Sequence, residues 1–287
     1  ILSVRRSTAD AVAQFIADDC DMAAEYLYDT DKWSSTDTGR ATRLSAKGLK
    51  SRALLYIASP LYNGDELFAE LKDPVDGTPL ISQTYDKEKW KAAADAALDC
   101  ISTAEQSGRE LYNEKPEDPV LNYQNIFNDN WNDEILWAKN IGTYDHWLNC
   151  SDPVSFGCFS ILDPTQEMVD AYEMEDGSTP ITGYTNDGLV PVINKESGYV
   201  ESGFAEDEFE GRWQKGVSNM YTHREPRFYA SINFAGAIWK TTRESNWTKP
   251  HVNEFWFRGI DGKNNAGSDY CKTGYLMKKL HYPTRIP

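Results

Sequence analysis

Apolar residues recur at helical spacing through the first third of the chain. The first such segment follows the polar stretch Ser7–Asp10, which is typical of a helix N-terminus. Val12, Phe15, Met22 and Tyr26 then fall on one face of a helix. We therefore predict an amphipathic helix over residues 7–29.

A second segment, residues 40–59, has apolar residues on more than one side. A helix of this kind packs between neighbours, because no single face accounts for its apolar positions. Small side chains on one side would let a neighbouring helix approach closely. The small stripe comprises Ala41, Ser45 and Gly48, and the larger stripe comprises Ala46, Leu49, Ala53, Tyr56 and Ile57.

A third predicted helix spans residues 86–106 after a loop rich in glycine and proline. Together the three segments favour stacked helix pairs of the tetratricopeptide type. We predict such a scaffold over residues 1–110. The apolar face of the third helix comprises Trp90, Ala93, Ala94, Ala97, Leu98 and Ile101.

The helical pattern weakens after residue 110. Glu134–Ala138 and Phe228–Phe234 read as short strands, and Asp163 with Pro164 predicts the start of a short helix. The remainder is polar and rich in loops. The predicted fold class is mainly α, with a loop-rich ligand-binding part over residues 111–287 that has little strand and belongs to the same domain.

The amino-acid composition narrows the classes of ligand that this chain could bind. The 287 residues carry a net charge of −16, which disfavours nucleic acid, anionic lipid surfaces and polyanionic glycans unless a local basic patch intervenes. Nine Trp and sixteen Tyr residues supply flat apolar rings with a polar edge, which suit the apolar faces of sugar rings. No apolar run is long enough to cross a membrane.

Five cysteines cannot all pair within one chain. Cys20 and Cys100 lie in helical patterns, so we predict that both are buried free thiols. Cys150 and Cys158 are close enough in sequence to form a disulfide, and whether they do so or are buried free thiols stays open. The chain has no metal-binding or nucleotide-binding motif, and we expect no cofactor.

The long loop over residues 140–159 is the first candidate for a ligand site. We expect Tyr144 and Trp147 to stack on sugar rings, and Asn149 and Asp152 to hydrogen-bond hydroxyl groups. The alternative for Trp147 is a packing role at the junction between the helical part and the rest of the chain. Trp213 is the reserve candidate.

Acidic residues next to Trp213 raise the alternative of a glycoside hydrolase. Such enzymes use two carboxyl groups placed across a sugar ring. Adjacent carboxylates in a polar run, here Glu206–Glu208 with Glu210, are typical of a solvated loop instead. Because no other catalytic motif is present, we expect the protein not to be an enzyme.

Four stretches, in order along the chain, resemble hallmarks of the SusD/RagB family. The first is a Gly-Arg-Ala turn and a helix that ends in Ser-Pro and Asn-Gly. The second is a Pro-Thr-Gln helix that ends in Asp-Gly. The third is similar to Arg-Asp-Pro-Arg-Phe, and the fourth to Thr-Gly-Tyr followed by Lys-Lys. These stretches are Gly39–Gly64, Pro164–Gly177, Arg224–Tyr229 and Thr273–Lys279.

The resemblance implies a lipoprotein on the outside of the outer membrane. Members of the family bind oligosaccharide or polysaccharide and deliver it to a SusC-like TonB-dependent transporter. Their lipid-bearing N-terminal cysteine and their last helices have no counterpart here, so we expect the chain to be cut at both ends. The alternative function is a tetratricopeptide-like scaffold that binds peptides or protein partners.

Overall fold

The computed structural model describes residues 5–29, 34–138, 145–209, 212–239 and 251–280. The chain divides into two compact units. The first runs to Leu111 and takes up a short return segment that begins at Asp133, and the second contains Tyr112–Asn132 and the rest of the chain. Helices dominate and strands are few and short, which confirms the predicted fold class.

The first unit contains the three predicted helices, whose ends are fixed by side-chain caps. Thr8 accepts a hydrogen bond from the Ala11 N–H, and Thr42 and Ser45 cap each other reciprocally. Asp86 caps the third helix. These helices are α1 (Ala9–Tyr26), α2 (Arg43–Ala58) and α3 (Lys87–Gln106).

The helices pack through their small side chains. Helix α2 contacts both α1 and α3. Small side chains in the contact let two helix axes approach closely, which favours these faces over the bulkier ones. The buried residues are Ala13, Ala17 and Cys20 in α1 and Ala93, Ala96 and Cys100 in α3.

The larger apolar residues on the predicted apolar faces of these helices are mostly exposed, although Ala46, Ile57 and Ala93 on those faces are buried. Phe15 and Tyr26 are 65% and 79% exposed, and Leu98 is 64% exposed. On α2, Leu49 and Tyr56 are exposed as well. Hydrophobic spacing alone therefore identified the helices but not the faces that they bury.

All five cysteines are buried and unpaired, which confirms the prediction for Cys20 and Cys100 and answers the question left open for Cys150 and Cys158. Burial raises the pKa of the Cys20 and Cys100 thiols, because a thiolate is poorly solvated there.

Ala17→Leu should destabilise the first unit by about 1–3 kcal/mol, because Ala17 is 2% exposed and the small contact face has no room for three more carbons. Phe15→Ser, two residues away and mostly exposed, should change the free energy of unfolding by no more than about 0.5 kcal/mol. Urea unfolding measures both. An equal loss from the two variants would contradict the assignment of faces.

The second unit is built from one longer helix, several short helices and paired short strands. In the described ranges the strands form antiparallel pairs β1–β2, β3–β6 and β4–β5. The helices are α4 (Pro119–Asn128), α5 (Asp145–Ser151), α6 (Gln166–Asp170), α7 (Pro226–Ser231) and α8 (Lys263–Ala266). The strands are β1 (Ile181–Thr185), β2 (Val190–Ile193), β3 (Ile232–Phe234), β4 (Ile238–Trp239), β5 (His251–Val252) and β6 (Tyr275–Met277).

Local predictions for the chain after residue 110 were only partly right. Glu134–Ala138 forms no strand. The run Phe228–Phe234 begins as α7, because Pro226 occupies the first helical turn, and only its last three residues form β3. The short helix after Asp163 exists as α6, but Thr165 caps it.

Aromatic rings fill the centre of the second unit. The rings of Phe228 and Phe234 stack with centroids 5.3 Å apart, and Tyr221 lies 4.5 Å from Phe234. Tyr221 also meets Tyr275 edge to face. This cluster is continuous with Trp213 and Tyr229, so most of the aromatic residues of the motif segments serve the core.

Arg224 lies at the edge of this core and is only 2% exposed. Its guanidinium donates to the carbonyl oxygens of Val169 at 2.8 Å and Tyr172 at 2.7 Å, and also to those of Glu173 and Met220. The ring of Phe228 lies 4.9 Å from the guanidinium carbon. Arg224 therefore joins the α6 segment to the α7 segment.

Arg224→Met should cost about 3–5 kcal/mol, because four buried or partly buried carbonyl groups lose their donor. Arg258→Met, at an exposed arginine of the same unit, should cost less than about 1 kcal/mol. Urea unfolding of both variants provides the measurement. A loss below about 1 kcal/mol for Arg224→Met would show that the clamp is dispensable.

Candidate functional site

Trp147 lies on α5, inside the stretch that the sequence predicted as an irregular loop. It is 51% exposed, so it does not fill the interior and presents part of its ring to solvent. Tyr144, the other predicted stacking residue, lies outside the described residues. Helical geometry rather than loop conformation thus sets the position of Trp147.

The chain after α5 turns back along the end of that helix. The N–H of Phe159 donates to the Asn149 carbonyl at 2.6 Å, and the N–H of Ile161 donates to the Cys150 carbonyl at 2.8 Å. These bonds satisfy carbonyl groups that a helix C-terminus leaves open. Phe159 and Ile161 remain 39% and 46% exposed, so this segment adds apolar surface beside α5.

The polar residues predicted for this site lie deeper than expected. Asp152 is 3% exposed, and the thiol of Cys158 donates to its carboxylate at 3.8 Å. Asn149 is half-buried and accepts from the same thiol at 3.6 Å. The geometry does not support Asp152 as a group that meets ligand hydroxyls at the surface, because its carboxylate is turned into the protein.

A second loop, residues 254–264, is joined through Asp261 to the segment that follows α5. The Asp261 carboxylate accepts hydrogen bonds from the Ser155 hydroxyl at 2.5 Å, from His251 at 2.7 Å and from the Glu254 N–H at 3.0 Å. The ring of Phe156 packs edge to face on His251 at 5.0 Å. Asp261 therefore couples the loop to the segment that follows α5.

The loop exposes three large apolar side chains on a compact backbone. Trp256, Phe257 and Ile260 are 51%, 61% and 49% exposed. A Cβ at Gly259 would lie 2.1 Å from the Glu254 carbonyl oxygen, and one at Gly262 would lie 1.9 Å from that of Trp256. Only glycine permits this folding. The backbone therefore fixes the points from which these side chains project.

We refer to the exposed side chains on these two segments as the aromatic surface. It comprises Trp147, Phe159, Ile161, Trp256, Phe257 and Ile260. Sequence reasoning identified Trp147 but missed Trp256 and Phe257. The Trp256–Gly262 stretch contained a usable signal, because two glycines close behind two adjacent aromatic residues are typical of a tight turn.

Asp261→Asn should loosen the loop and remove part of the acid sensitivity of the fold. Burial raises the pKa of Asp261, but the bonds from His251, Ser155 and Glu254 outweigh it and lower the pKa below its usual value. A depressed carboxyl pKa stabilises the fold above the unfolded value of about 3.9, and the stabilisation is lost as the pH falls through the folded value.

Urea unfolding between neutral pH and about pH 2.5 measures this contribution, and hydrogen exchange reports on residues 254–264. The wild-type free energy of unfolding should fall more steeply in acid than that of Asp261→Asn. Glu208→Gln, at an exposed carboxylate, is the matched control and should keep the wild-type slope. Identical slopes for all three proteins would contradict the role of Asp261.

A cleft of about 610 Å³ lies elsewhere in the second unit and includes the reserve candidate Trp213. Trp213 is 5% exposed and stacks on Tyr229 at 5.3 Å, so its ring is not available for a sugar. Phe209, 4.9 Å from Trp213, is 48% exposed and is the accessible ring. Carboxylates of Glu117, Asp118, Glu175, Asp207 and Glu208 also line the cleft.

The described residues contain neither a metal-binding cluster nor a helix suited to crossing a membrane. Within them, no group of three or more His, Cys, Asp or Glu side chains is arranged to hold a metal ion. None of the helices found there combines the length and hydrophobicity needed to cross a bilayer.

Comparison with solved structures shows the same architecture. The protein BT4246 superposes with a TM-score of 0.71 at 25% identity over 97% of this chain and 50% of its own. A SusD-like protein from Bacteroides fragilis, BF3747, gives 0.60 at 20% identity over 96% and 43%. A SusD-like carbohydrate binding protein from the same organism, BF0978, gives 0.53 at 16% identity over 96% and 40%.

The chain therefore spans half the length of these solved relatives or less. None of the curated proteins matches it in sequence. The sequence model of the SusD family matches residues 121–284, which include three of the four hallmark stretches. This match covers more than half of the 287 residues, so the chain belongs to the SusD family.

Proposed function

We propose that this protein captures oligosaccharide outside the cell, does not cleave it, and delivers it to a SusC-like TonB-dependent transporter in the outer membrane. The observation that carries the proposal is the aromatic surface: exposed rings on two segments that Asp261 joins. We assign ligand capture to residues 111–287, the part predicted to be rich in loops. The family and the carbohydrate-binding relative BF0978 support this assignment.

Stacking of aromatic side chains on sugar rings accounts for the proposed binding of oligosaccharide. The C–H faces of a sugar ring are apolar and match an indole or phenyl face, at about 1 kcal/mol for each contact. Rings already held by a rigid backbone lose little conformational entropy on binding. Several weak contacts along one oligosaccharide then add up, whereas one sugar unit would bind poorly. The surface therefore favours chains of sugar units over monosaccharides.

Capture without cleavage agrees with the state of the acidic residues. A glycosidase keeps one carboxyl group protonated in an apolar environment and places the second across the sugar ring. Asp207 and Glu208 in the cleft are solvent-exposed instead. Exposed carboxylates of this kind can accept hydrogen bonds from the hydroxyl groups of a bound sugar.

Delivery and location complete the proposal. The resemblance to SusD/RagB proteins supports a lipid-anchored position on the outside of the outer membrane, where a transporter can receive the bound glycan. The net charge of −16 would keep the protein clear of anionic lipid headgroups, so an anchor rather than the protein surface would hold it there.

A glycan array followed by calorimetry on the glycans that bind tests the proposal. Trp147→Ala and Trp256→Ala should each weaken binding severalfold, which corresponds to about 1 kcal/mol per lost ring contact. Tyr144→Ala belongs in the same series. The melting temperature should stay nearly constant, because Trp147 and Trp256 are half exposed.

Trp90→Ala is the matched control, since it removes a partly exposed indole from α3 in the other unit. It should leave glycan affinity unchanged. An array without binding would refute glycan capture and favour the peptide-binding alternative. Release of reducing sugar by the purified protein would refute capture without cleavage.

A further inference from the structure

The return segment of the first unit presents a tryptophan that no predicted site includes. This segment begins at Asp133 and is held at two points before the tryptophan, which is Trp137. Asp133 forms an ion pair with Arg109 at 3.5 Å, and Leu136 lies against the small Gly48 position of α2, 3.4 Å from a Cβ built there. The segment is therefore fixed, and Trp137 follows it directly.

Trp137 is both exposed and oriented. It is 58% exposed, yet its indole N–H donates to the Gly39 carbonyl at 3.2 Å. Gly39 has a φ of +98°, which other residues rarely adopt, so the glycine of the Gly-Arg-Ala hallmark shapes the turn that accepts this bond. One edge of the indole is thus occupied while much of the ring stays open to solvent.

The surroundings of Trp137 supply both kinds of hydrogen-bonding group. A cavity of about 500 Å³ is lined by Trp137, Ala138 and the turn Thr36–Arg40. This volume falls within the usual range of about 300–1,000 Å³ for small-molecule sites. Asp37 accepts from Arg40 at 2.8 Å and from Ser34 at 2.8 Å, so its carboxylate is held in place beside the ring.

The charges in this cavity indicate the class of ligand. The carboxylate of Asp37 and the guanidinium of Arg40 balance each other, and Thr36 and Thr38 add neutral hydroxyl groups. A ligand with a net charge would be attracted by one partner of the ion pair and repelled by the other. A neutral ligand with many hydroxyl groups can instead accept from the guanidinium and donate to the carboxylate without disturbing the pair.

We propose that Trp137 and the Thr36–Arg40 turn form a second carbohydrate site, which takes a neutral sugar unit stacked on the indole. This inference rests on the proposed glycan-binding function and extends it to the first unit.

A purely structural role for Trp137 is the competing explanation. The indole bond to Gly39 would then serve only to secure the return segment. Asp133 and Leu136 already contact the first unit from that segment, and an anchoring tryptophan would be expected to be less than 58% exposed. The two explanations differ in whether a glycan contacts the open part of the ring.

Fluorine NMR of the protein labelled with 5-fluorotryptophan distinguishes them residue by residue. The chain has nine Trp signals, and single Trp→Phe variants assign those of Trp137, Trp147 and Trp256. The probes are neutral gluco-, manno-, galacto- and xylo-oligosaccharides at millimolar concentration, together with an oligogalacturonate. Trp239, which is 1% exposed, provides an internal reference that should not shift.

A saturable shift of the Trp137 signal with a neutral oligosaccharide, and a smaller one with the oligogalacturonate, is the expected result. In calorimetry, Trp137→Ala should weaken binding of that oligosaccharide to this site at least about fivefold, while Trp137→Tyr should retain part of it. Trp90→Ala is again the control, and the melting temperature confirms folding.

Each remaining outcome is decisive. Shifts of Trp147 or Trp256 without any shift of Trp137 would overturn the second site and leave the proposed function standing. A Trp137 shift larger with the oligogalacturonate would overturn the choice of a neutral ligand. If no tryptophan signal shifts with any probe, the second site and the proposed glycan binding both fail.

Discussion

The buried guanidinium of Arg224 is the interaction on which the second unit depends. That unit has few long elements, so packing of one helix on another cannot by itself order its chain. Arg224 binds four carbonyl oxygens from segments far apart in sequence and stacks on Phe228. Two of the hallmark stretches thus meet at one side chain. Burial lowers the pKa of Arg224, but an arginine remains charged even so.

The sequence predicted the fold better than it predicted the surfaces. Caps and apolar spacing located α1, α2 and α3 well, because both signals are local. They could not reveal which face is buried, because Phe15 and Ala17 both belong to apolar stripes and only the neighbouring helix selects between them. In the same way, Phe228–Ser231 has strand-like composition, but Pro226 at the first turn and the Arg224 clamp favour a helix.

The sequence did not predict which candidate side chains are buried, because burial depends on contacts made in the folded chain. Trp147 could be found, because an aromatic residue in a polar segment stands out locally. Asp152 and Trp213 looked equally available, yet their burial arises from Cys158 and Tyr229, which no local pattern connects to them. Conversely, the role of Asp261 requires Ser155, which lies 106 residues away, so the coupling of the two aromatic segments is invisible in sequence.

The polar contacts that position the exposed rings explain how one scaffold could present different surfaces to a ligand. Trp137 is oriented by a bond to the Gly39 carbonyl, and the loop with Trp256 is held by Asp261. In both cases the anchor is buried or belongs to the backbone, while the ring that would meet a ligand extends beyond it. Replacing such a ring leaves the anchor intact, whereas replacing Gly39 or Asp261 disturbs the framework itself. Substitution at exposed ring positions can therefore leave the fold intact, so under the proposed function the hallmark stretches would identify the scaffold without specifying the glycan.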